Sequence, residues 1–354
     1  MIYSTPKTAK QWNITGWDGF DSLEYSEQPV PPLGDNQVLV KLHGASLNYR
    51  DLMVPRGQYP WEVKPHVVPG SDGAGVVLAV GQHVTRFRPG DRVVTMLNPQ
   101  HTGGFVNPQI SRFGLGASAD GTFRSAGAFD EQGLVPMPAG LSFVEAATLS
   151  CAGVTAWNAL FGLPGRQAAP GHWVLTQGTG GVSVFAVQFA KAAGARVVAT
   201  TSSGEKARLL ERLGADHVIN YRDTPEWGPV ARELTGGEGV DLVVEVAGPA
   251  SVKQSVAAVK LDGVITIVGS VGGGGGEVKD MPGLFDCWMK LFTTRGVWVG
   301  NRLQMEDMGR AIEGNLDKLR PVIDPKVFSL EQLKEAYEYL ESGKHQGKIG
   351  IKID

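Results

Sequence analysis

The chain has 354 residues, enough for two domains, and its 33 Lys and Arg against 36 Asp and Glu leave a net charge of −3. So balanced a chain carries no basic field to gather nucleic acid, and no apolar run approaches the ~18 residues of a membrane helix. Only two cysteines, Cys151 and Cys287, are present, too few for a disulfide framework, and Met1-Ile2-Tyr3-Ser4 lacks a charged-then-apolar secretion pattern, so a soluble, cytoplasmic protein is expected.

Residues 1–135 read as short strands with turns. Runs at 38–42 (Val-Leu-Val-Lys-Leu), 75–80 and 91–96 are strand candidates separated by Pro and Gly punctuation, and Pro89-Gly90-Asp91 is a turn. There is no internal repeat, and the one low-complexity tract is the glycine run at 272–276. An all-β unit therefore precedes an α/β one.

Residues 173–203 organise the second unit. The apolar run His172-Trp173-Val174-Leu175-Thr176 reads as a buried strand and meets Gly178-Thr179-Gly180-Gly181. Val182, Phe185, Ala186, Phe189, Ala190 and Ala193 then recur at helical spacing, Gly194 stops the helix, and residues 196–200 start a second strand. Glycines at such a turn let backbone N–H groups approach a pyrophosphate at the positive end of the helix dipole. The third glycine of the G-x-G-x-x-G pattern is Ser183, whose β-carbon is expected to push helix and strand slightly apart. Alone, the turn also suits an ordinary tight connection; its flanking elements favour dinucleotide binding.

The end of the second strand selects the dinucleotide. An NAD site usually carries an acid about 20 residues beyond the glycines, but here the tip is Thr200-Thr201-Ser202-Ser203-Gly204, followed by Lys206. Hydroxyls and a cation suit a 2′-phosphate. A Lys–phosphate pair near ~4 Å contributes on the order of 1–4 kcal/mol, so NADP(H) is expected, with Ser202, Ser203 and Lys206 around the phosphate. The alternative makes Lys206 a solvated residue on a helix at 205–213 with Ser202 as its N-cap.

Residues 214–221 form a helix stop and a third strand. Residues 240–248 read as a strand ending in the small residues Val246-Ala247-Gly248, and 263–270 repeat that logic up to Val268-Gly269-Ser270, as expected where a cofactor crosses strand tips. Glu245, inside an apolar strand, needs a partner if buried. The 272–276 tract is either a loop at a pocket mouth or a linker. Residues 295–302 look like a last strand, and a helix follows at 330–342 with Ser329 as its N-cap.

Four segments, added to the glycine turn, span nearly the whole chain: Ala45-Ser46-Leu47-Asn48-Tyr49-Arg50-Asp51, Pro69-Gly70-Ser71-Asp72-Gly73, Phe87-Arg88-Pro89-Gly90-Asp91-Arg92-Val93 and Cys151-Ala152-Gly153-Val154-Thr155-Ala156-Trp157. In this order they resemble the medium-chain dehydrogenase/reductase superfamily. The resemblance implies an α/β protein with a Rossmann doubly wound parallel sheet at 136–319. A GroES-like β-rich catalytic domain is implied from 1–135 and 320–354. It also implies cofactor contacts from Asn48, Thr155, Gly178, Thr179, Gly180, Gly181, Val182, Tyr221, Val246, Ala247, Val268, Gly269, Ser270, Asn301 and Lys348, and a homodimer paired through the last Rossmann strand. Tyr221 and Lys348 also read as plain packing and an edge-strand charge, and Asn48 as a turn cap with Asp51.

Zinc members of this superfamily place Cys, Gly-His-Glu and Cys where this chain has Asn48, Gly70-Ser71-Asp72 and Cys151. One thiol will not hold a catalytic zinc, which needs about three protein ligands, and the four-cysteine structural-zinc loop is absent from 101–125; His101 there is expected to be solvated. The chain thus resembles the zinc-independent quinone oxidoreductase and enoyl reductase branch. Reduction of a simple ketone concentrates charge on one oxygen, whereas hydride addition to an enone or quinone spreads it. Reduction of an activated C=C or quinone is the expected reaction. Metal-free carbonyl reduction or alcohol oxidation is the alternative, and a non-catalytic NADPH-binding protein a third. Tyr59, in Arg56-Gly57-Gln58-Tyr59-Pro60, is the candidate proton donor by resemblance, or else a loop aromatic lining the pocket.

Overall fold

In the first unit, the strand Gln37–Ser46 buries Val38, Leu39, Val40 and Leu42 and is the hub of a sheet. The computed structural model describes residues 5–271 and 281–354, so the glycine tract at 272–276 lies outside the described residues. The hub pairs antiparallel with Asp72–Val80, Gly350–Lys352 and Ala126–Asp130. The seven-stranded sheet continues to Arg92–Thr95 and Leu134–Pro136 on one side and Phe328–Ser329 on the other. Its register sets Ser46 opposite both Asp72 and Gly350, which brings the start of the chain and its tail to one spot. Val40, Leu42, Val77, Phe123, Tyr337 and Ile351 belong to the core beneath. Gly70 turns the chain into Asp72–Val80 with φ +87°, and a β-carbon there would lie 2.8 Å from the Phe123 ring, so only glycine delivers Ser71 and Asp72 to this place.

The second unit is a six-stranded sheet of parallel pairs. In spatial order its strands are His217–Asn220, Arg196–Thr201, Trp173–Gln177, Val240–Glu245, Val259–Ile267 and Thr293–Gly296. Counted along the chain this is 3-2-1-4-5-6, the doubly wound order whose topological switch point lies between Trp173–Gln177 and Val240–Glu245. Trp173–Gln177 is buried at every residue, as expected where helices cover both faces. Leu175, Val198, Val243, Ile265 and Trp227 share its core.

The chain enters this unit at Thr155 and leaves it at Val299, inside the boundaries expected at 136 and 319. The helix Phe143–Ala147 packs on Gln37–Ser46 and Asp72–Val80, and the helix Arg302–Gly314 packs on Leu134–Pro136, so both flanks join the first unit. The last strand also differs from expectation. It is Thr293–Gly296, because Val299 takes a left-handed φ of +49° and Asn301 caps the helix Arg302–Gly314. The helix near the C-terminus forms as read: Ser329 and Gln332 make a capping box before Leu333–Glu341. Among the described residues no helix is long and apolar enough to cross a membrane.

Candidate active site

The glycine turn leaves its helix uncapped. Gly178 takes φ +74°, and its N–H donates to Thr200 O at 2.7 Å. Gly180 starts the helix Gly181–Ala192 in an extended conformation, and no side chain caps it. β-Carbons built on Gly178 or Gly180 would meet nothing within 4 Å, so the glycines keep open space in front of uncapped N–H groups. Such a place suits the anionic pyrophosphate of a dinucleotide. Thr179 is buried and Gly181 and Val182 are half-buried beside it. Ser183 does not spread the helix from the strand as expected; its Oγ donates to Gln177 O at 2.6 Å and ties the two together.

At the end of Arg196–Thr201 the expected residues come to one sheet edge. The N-cap of the helix Gly204–Arg212 is Ser203, not Ser202: Ser203 Oγ accepts the Lys206 N–H at 3.3 Å. Lys206 therefore lies in the first helical turn, half-buried. Tyr221 is 41% exposed just beyond His217–Asn220, and its N–H donates to Thr201 O at 2.9 Å. Thr201 Oγ1 is buried without a partner.

Glu245 sits at the switch point, fully buried. Its Oε1 accepts the N–H groups of Ala247 (3.1 Å) and Gly248 (2.9 Å) and the hydroxyl of Ser251 (2.6 Å); its Oε2 accepts Gln177 Nε2 (2.7 Å) and Ser255 Oγ (2.5 Å). Gln177 Oε1 in turn accepts the N–H groups of Val246 (3.1 Å) and Ala247 (3.2 Å). Val268 N–H donates to Glu245 O at 2.9 Å, and Val271 N–H to Val246 O at 3.0 Å, so Val268, Gly269 and Ser270 run beside Val246 and Ala247. Gly248 takes φ +90°, where a β-carbon would fall 2.4 Å from Ser270 Oγ. The sequence reading flagged Glu245 as needing a partner but missed Gln177, Ser251 and Ser255. A Gln ending one apolar strand and a Glu ending another was the available signal.

In the first unit the expected Asn48, Ser71 and Lys348 form one buried cluster with Asp72. Lys348 Nζ donates to Leu47 O (2.5 Å), Asn48 Oδ1 (2.6 Å) and Asp72 Oδ2 (3.0 Å). Asp72 also accepts Ser46 Oγ at 2.6 Å and Ser71 Oγ at 2.9 Å, and Asn48 Nδ2 reaches Ser71 Oγ at 3.4 Å. Asp51 Oδ2 accepts the Asn48 N–H at 2.7 Å, which is the turn contact read from sequence. Burial lifts the Asp51 carboxyl to about 6 against the pull of Arg50 and that N–H. Cys151 shares these surroundings: burial, then Asp72, pushes its thiol up to about 12, with Lys348 and Arg50 opposing. An amide, a hydroxyl and a neutral thiol, with an ammonium bonded to the amide, are not a zinc donor set. Among the described residues no group of three His, Cys, Asp or Glu could hold a metal ion.

Tyr59 is half-buried, packed edge-on against Trp61 at 5.2 Å and under the Arg50 guanidinium at 4.8 Å. Thr155 is buried in the first turn of Val154–Phe161. Asn301 is an N-cap: its Oδ1 accepts the Gln304 N–H at 2.9 Å, and Gln304 Oε1 accepts the Asn301 N–H at 3.0 Å. His101 is not solvated but buried, with Nε2 against Gly104 O at 3.2 Å.

Known proteins share this architecture over most of their length. Residues 34–139 match the alcohol dehydrogenase GroES-like domain, and residues 181–314 match the zinc-binding dehydrogenase family. A zinc-type alcohol dehydrogenase-like protein of Schizosaccharomyces pombe is 44% identical, covering 95% of this chain and 96% of its own. A crotonyl-CoA reductase of Streptomyces collinus is 30% identical, covering 93% and 81%. The crystal structure of a putative alcohol dehydrogenase from Sinorhizobium meliloti superposes with a TM-score of 0.89 at 37% identity, covering 99% of this chain and all of the other. An NAD-dependent alcohol dehydrogenase superposes with a TM-score of 0.85 at 32% identity, covering 98% of this chain and all of the other. With a GroES-like unit, a doubly wound parallel sheet and relatives matched end to end, the chain belongs to the medium-chain dehydrogenase/reductase superfamily of oxidoreductases.

Proposed function

We propose that the protein is a zinc-independent, NADPH-dependent reductase of an activated C=C bond or a quinone, acting on a small molecule. The observation that carries this reading is the cluster at Asn48, Ser71, Asp72 and Cys151, where the Lys348 ammonium already supplies the positive charge and the donors do not suit zinc. Without a metal to polarise a lone carbonyl, a conjugated acceptor, which spreads developing charge, is the easier substrate. The crotonyl-CoA reductase relative acts, by its name, on such a conjugated compound.

Bound NADPH would supply the hydride. The uncapped helix at Gly180-Gly181-Val182 would hold its pyrophosphate, and Val246, Ala247, Val268, Gly269 and Ser270 would carry it across the strand tips. Ser202, Ser203, Lys206 and Tyr221 would meet the 2′-phosphate, since no acid stands there to repel it. Thr155 and Asn48 would meet the nicotinamide end. Lys348 serves by fixing Asn48, because all three of its protons are used within the first unit. Tyr59 is the proton donor.

The protein is further read as a homodimer. Thr293–Gly296 is an edge strand, and nearby Leu284, Phe285 and Trp288 are 90%, 82% and 70% exposed, apolar side chains that pairing with a second copy would remove from water. Replacing Trp288 with Glu is expected to halve the mass measured by light scattering.

The alcohol dehydrogenase names of several relatives favour a second reading, metal-free oxidation of alcohols or reduction of carbonyls. NADPH oxidation with a panel of enones, quinones, enoyl thioesters and saturated ketones, with and without chelator and repeated with NADH, separates the two. Chelator-insensitive turnover confined to conjugated acceptors and favouring NADPH supports the proposal. Turnover of saturated ketones or alcohols supports the second reading, and loss of that turnover with chelator sinks both.

A further inference from the structure

Two cations share the surroundings of Cys151, and they differ in how many of their protons are already used. Lys348 has three, and Leu47 O, Asn48 Oδ1 and Asp72 Oδ2 take them all. Arg50 has five. Its Nη1 donates to Leu115 O at 2.8 Å, while Nε and Nη2 are buried without a well-aligned acceptor, the Tyr59 phenol offering only a looser bond to the guanidinium. The nearest carboxylate oxygen, Asp51 Oδ1, lies 3.9 Å from Nη1, too far for a hydrogen bond, and itself lacks a donor. The side chain is only 10% exposed. Burial works against its charge, but Tyr59, Asp51 and Cys151 outweigh burial and raise its pKa above the ordinary value. Charged donors buried without acceptors are costly; they are kept where a ligand supplies the acceptor.

We propose that Arg50 is the electrophile of this site, donating from Nε and Nη2 to the carbonyl oxygen of an α,β-unsaturated carbonyl substrate as negative charge builds there. The inference rests on the C=C reading given above. Hydride adds to the β-carbon, the C=C π pair becomes the bond between the α-carbon and the carbonyl carbon, and the carbonyl π pair moves to oxygen. The enolate oxygen lies in the guanidinium fork, whose planar donors match its lone pairs. The α-carbon then takes a proton from the Tyr59 phenol as the C=O bond re-forms. The alkene gains two electrons and NADPH loses them. The Tyr59 ring beneath the guanidinium, 4.8 Å away, keeps the acid beside the charge it quenches.

The test uses 4-nitrophenol, whose phenolate mimics an enolate, titrated spectrophotometrically with the cofactor-free full-length enzyme. Wild type is expected to lower the apparent pKa of the bound phenol by roughly 1–3 units, Arg50→Lys to keep part of that shift, and Arg50→Gln to abolish it. In turnover of an enone, Arg50→Gln should lose on the order of 10²–10³ in kcat with the KM for NADPH unchanged. Absence of a shift in wild type, or a wild-type shift in Arg50→Gln, overturns the proposal and leaves Arg50 a tie to Leu115. If Arg50→Gln fails to fold, as thermal unfolding will tell, Arg50→Lys decides: an undiminished phenolate shift and kcat in that variant overturn it. The phenolate titration needs neither cofactor nor turnover. Its failure with enone reduction intact sinks Arg50 alone, and a phenolate shift without reduction of conjugated acceptors sinks the C=C reading.

Discussion

Asp72 in the first unit and Glu245 in the second are carboxylates with no exposure at all, and the two are stabilised in different ways. Asp72, in the first, is met by an ammonium at 3.0 Å and two hydroxyls. Glu245, in the second, is met by two backbone N–H groups, two hydroxyls and an amide, with no cation among its hydrogen-bond partners. An ion pair in low dielectric is fragile to loss of either partner, because the survivor is stranded. A cage of dipoles strands no charge when the carboxylate goes, but it fixes backbone: Ala247 and Gly248 are held directly, and Val246 through Gln177. The first arrangement orients side chains; the second shapes a loop.

The largest effect is expected from Asp72→Asn, which leaves the Lys348 ammonium buried with neutral acceptors only. A loss of about 3–5 kcal/mol is expected in urea unfolding, with most of it recovered in the Asp72→Asn, Lys348→Met double variant. A double variant as unstable as the single would mean that the ion pair is not what holds the cluster. Glu245→Gln should cost less, about 1.5–3 kcal/mol for weakened charge-assisted bonds, yet it should weaken NADPH binding more than Asp72→Asn does, as fluorescence titration of each variant would reveal. Lys206→Ala tests the half-buried cation beside Ser203 in the second unit: roughly tenfold weaker NADPH binding, ~1.4 kcal/mol, with NADH unaffected.

A surface ion pair sharpens the contrast with the smallest effect. Burial pushes the Asp216 carboxyl up, but the Lys191 ammonium and the Val197 N–H outweigh that and hold it below the ordinary carboxylate range. Its folded pKa is depressed, so its contribution is present above the unfolded value of about 3.9 and fades as pH falls through the folded one. Being partly exposed it is worth under ~1 kcal/mol. Asp216→Asn should lower stability slightly at pH 7 and hardly at all at the acid end of a urea–pH series.

Much of this was legible along the chain. The glycine turn, the buried strands and the absence of an acid after Thr201 depend on neighbours within a few residues, where periodicity and turn chemistry speak directly. The misreadings share a cause. Ser183 was weighed for the bulk of its β-carbon, but its hydroxyl finds Gln177 O. His101 looked like a loop histidine and is buried.

Residue type and local spacing carry the order of elements, the parallel sheet with its glycine turn, and the lack of zinc-type residues at 48 and 71. Only the tertiary structure decided which charges meet. Lys348 lies 276 residues from Asp72 and 300 from Asn48, and it reaches them because strand register sets Gly350 and Asp72 against Ser46. The same folding leaves Arg50 Nε and Nη2 buried without a well-aligned acceptor. Hydrogen-bond saturation is a property of three-dimensional neighbours, so no pattern along the chain reveals which of two cations has all its donors spent.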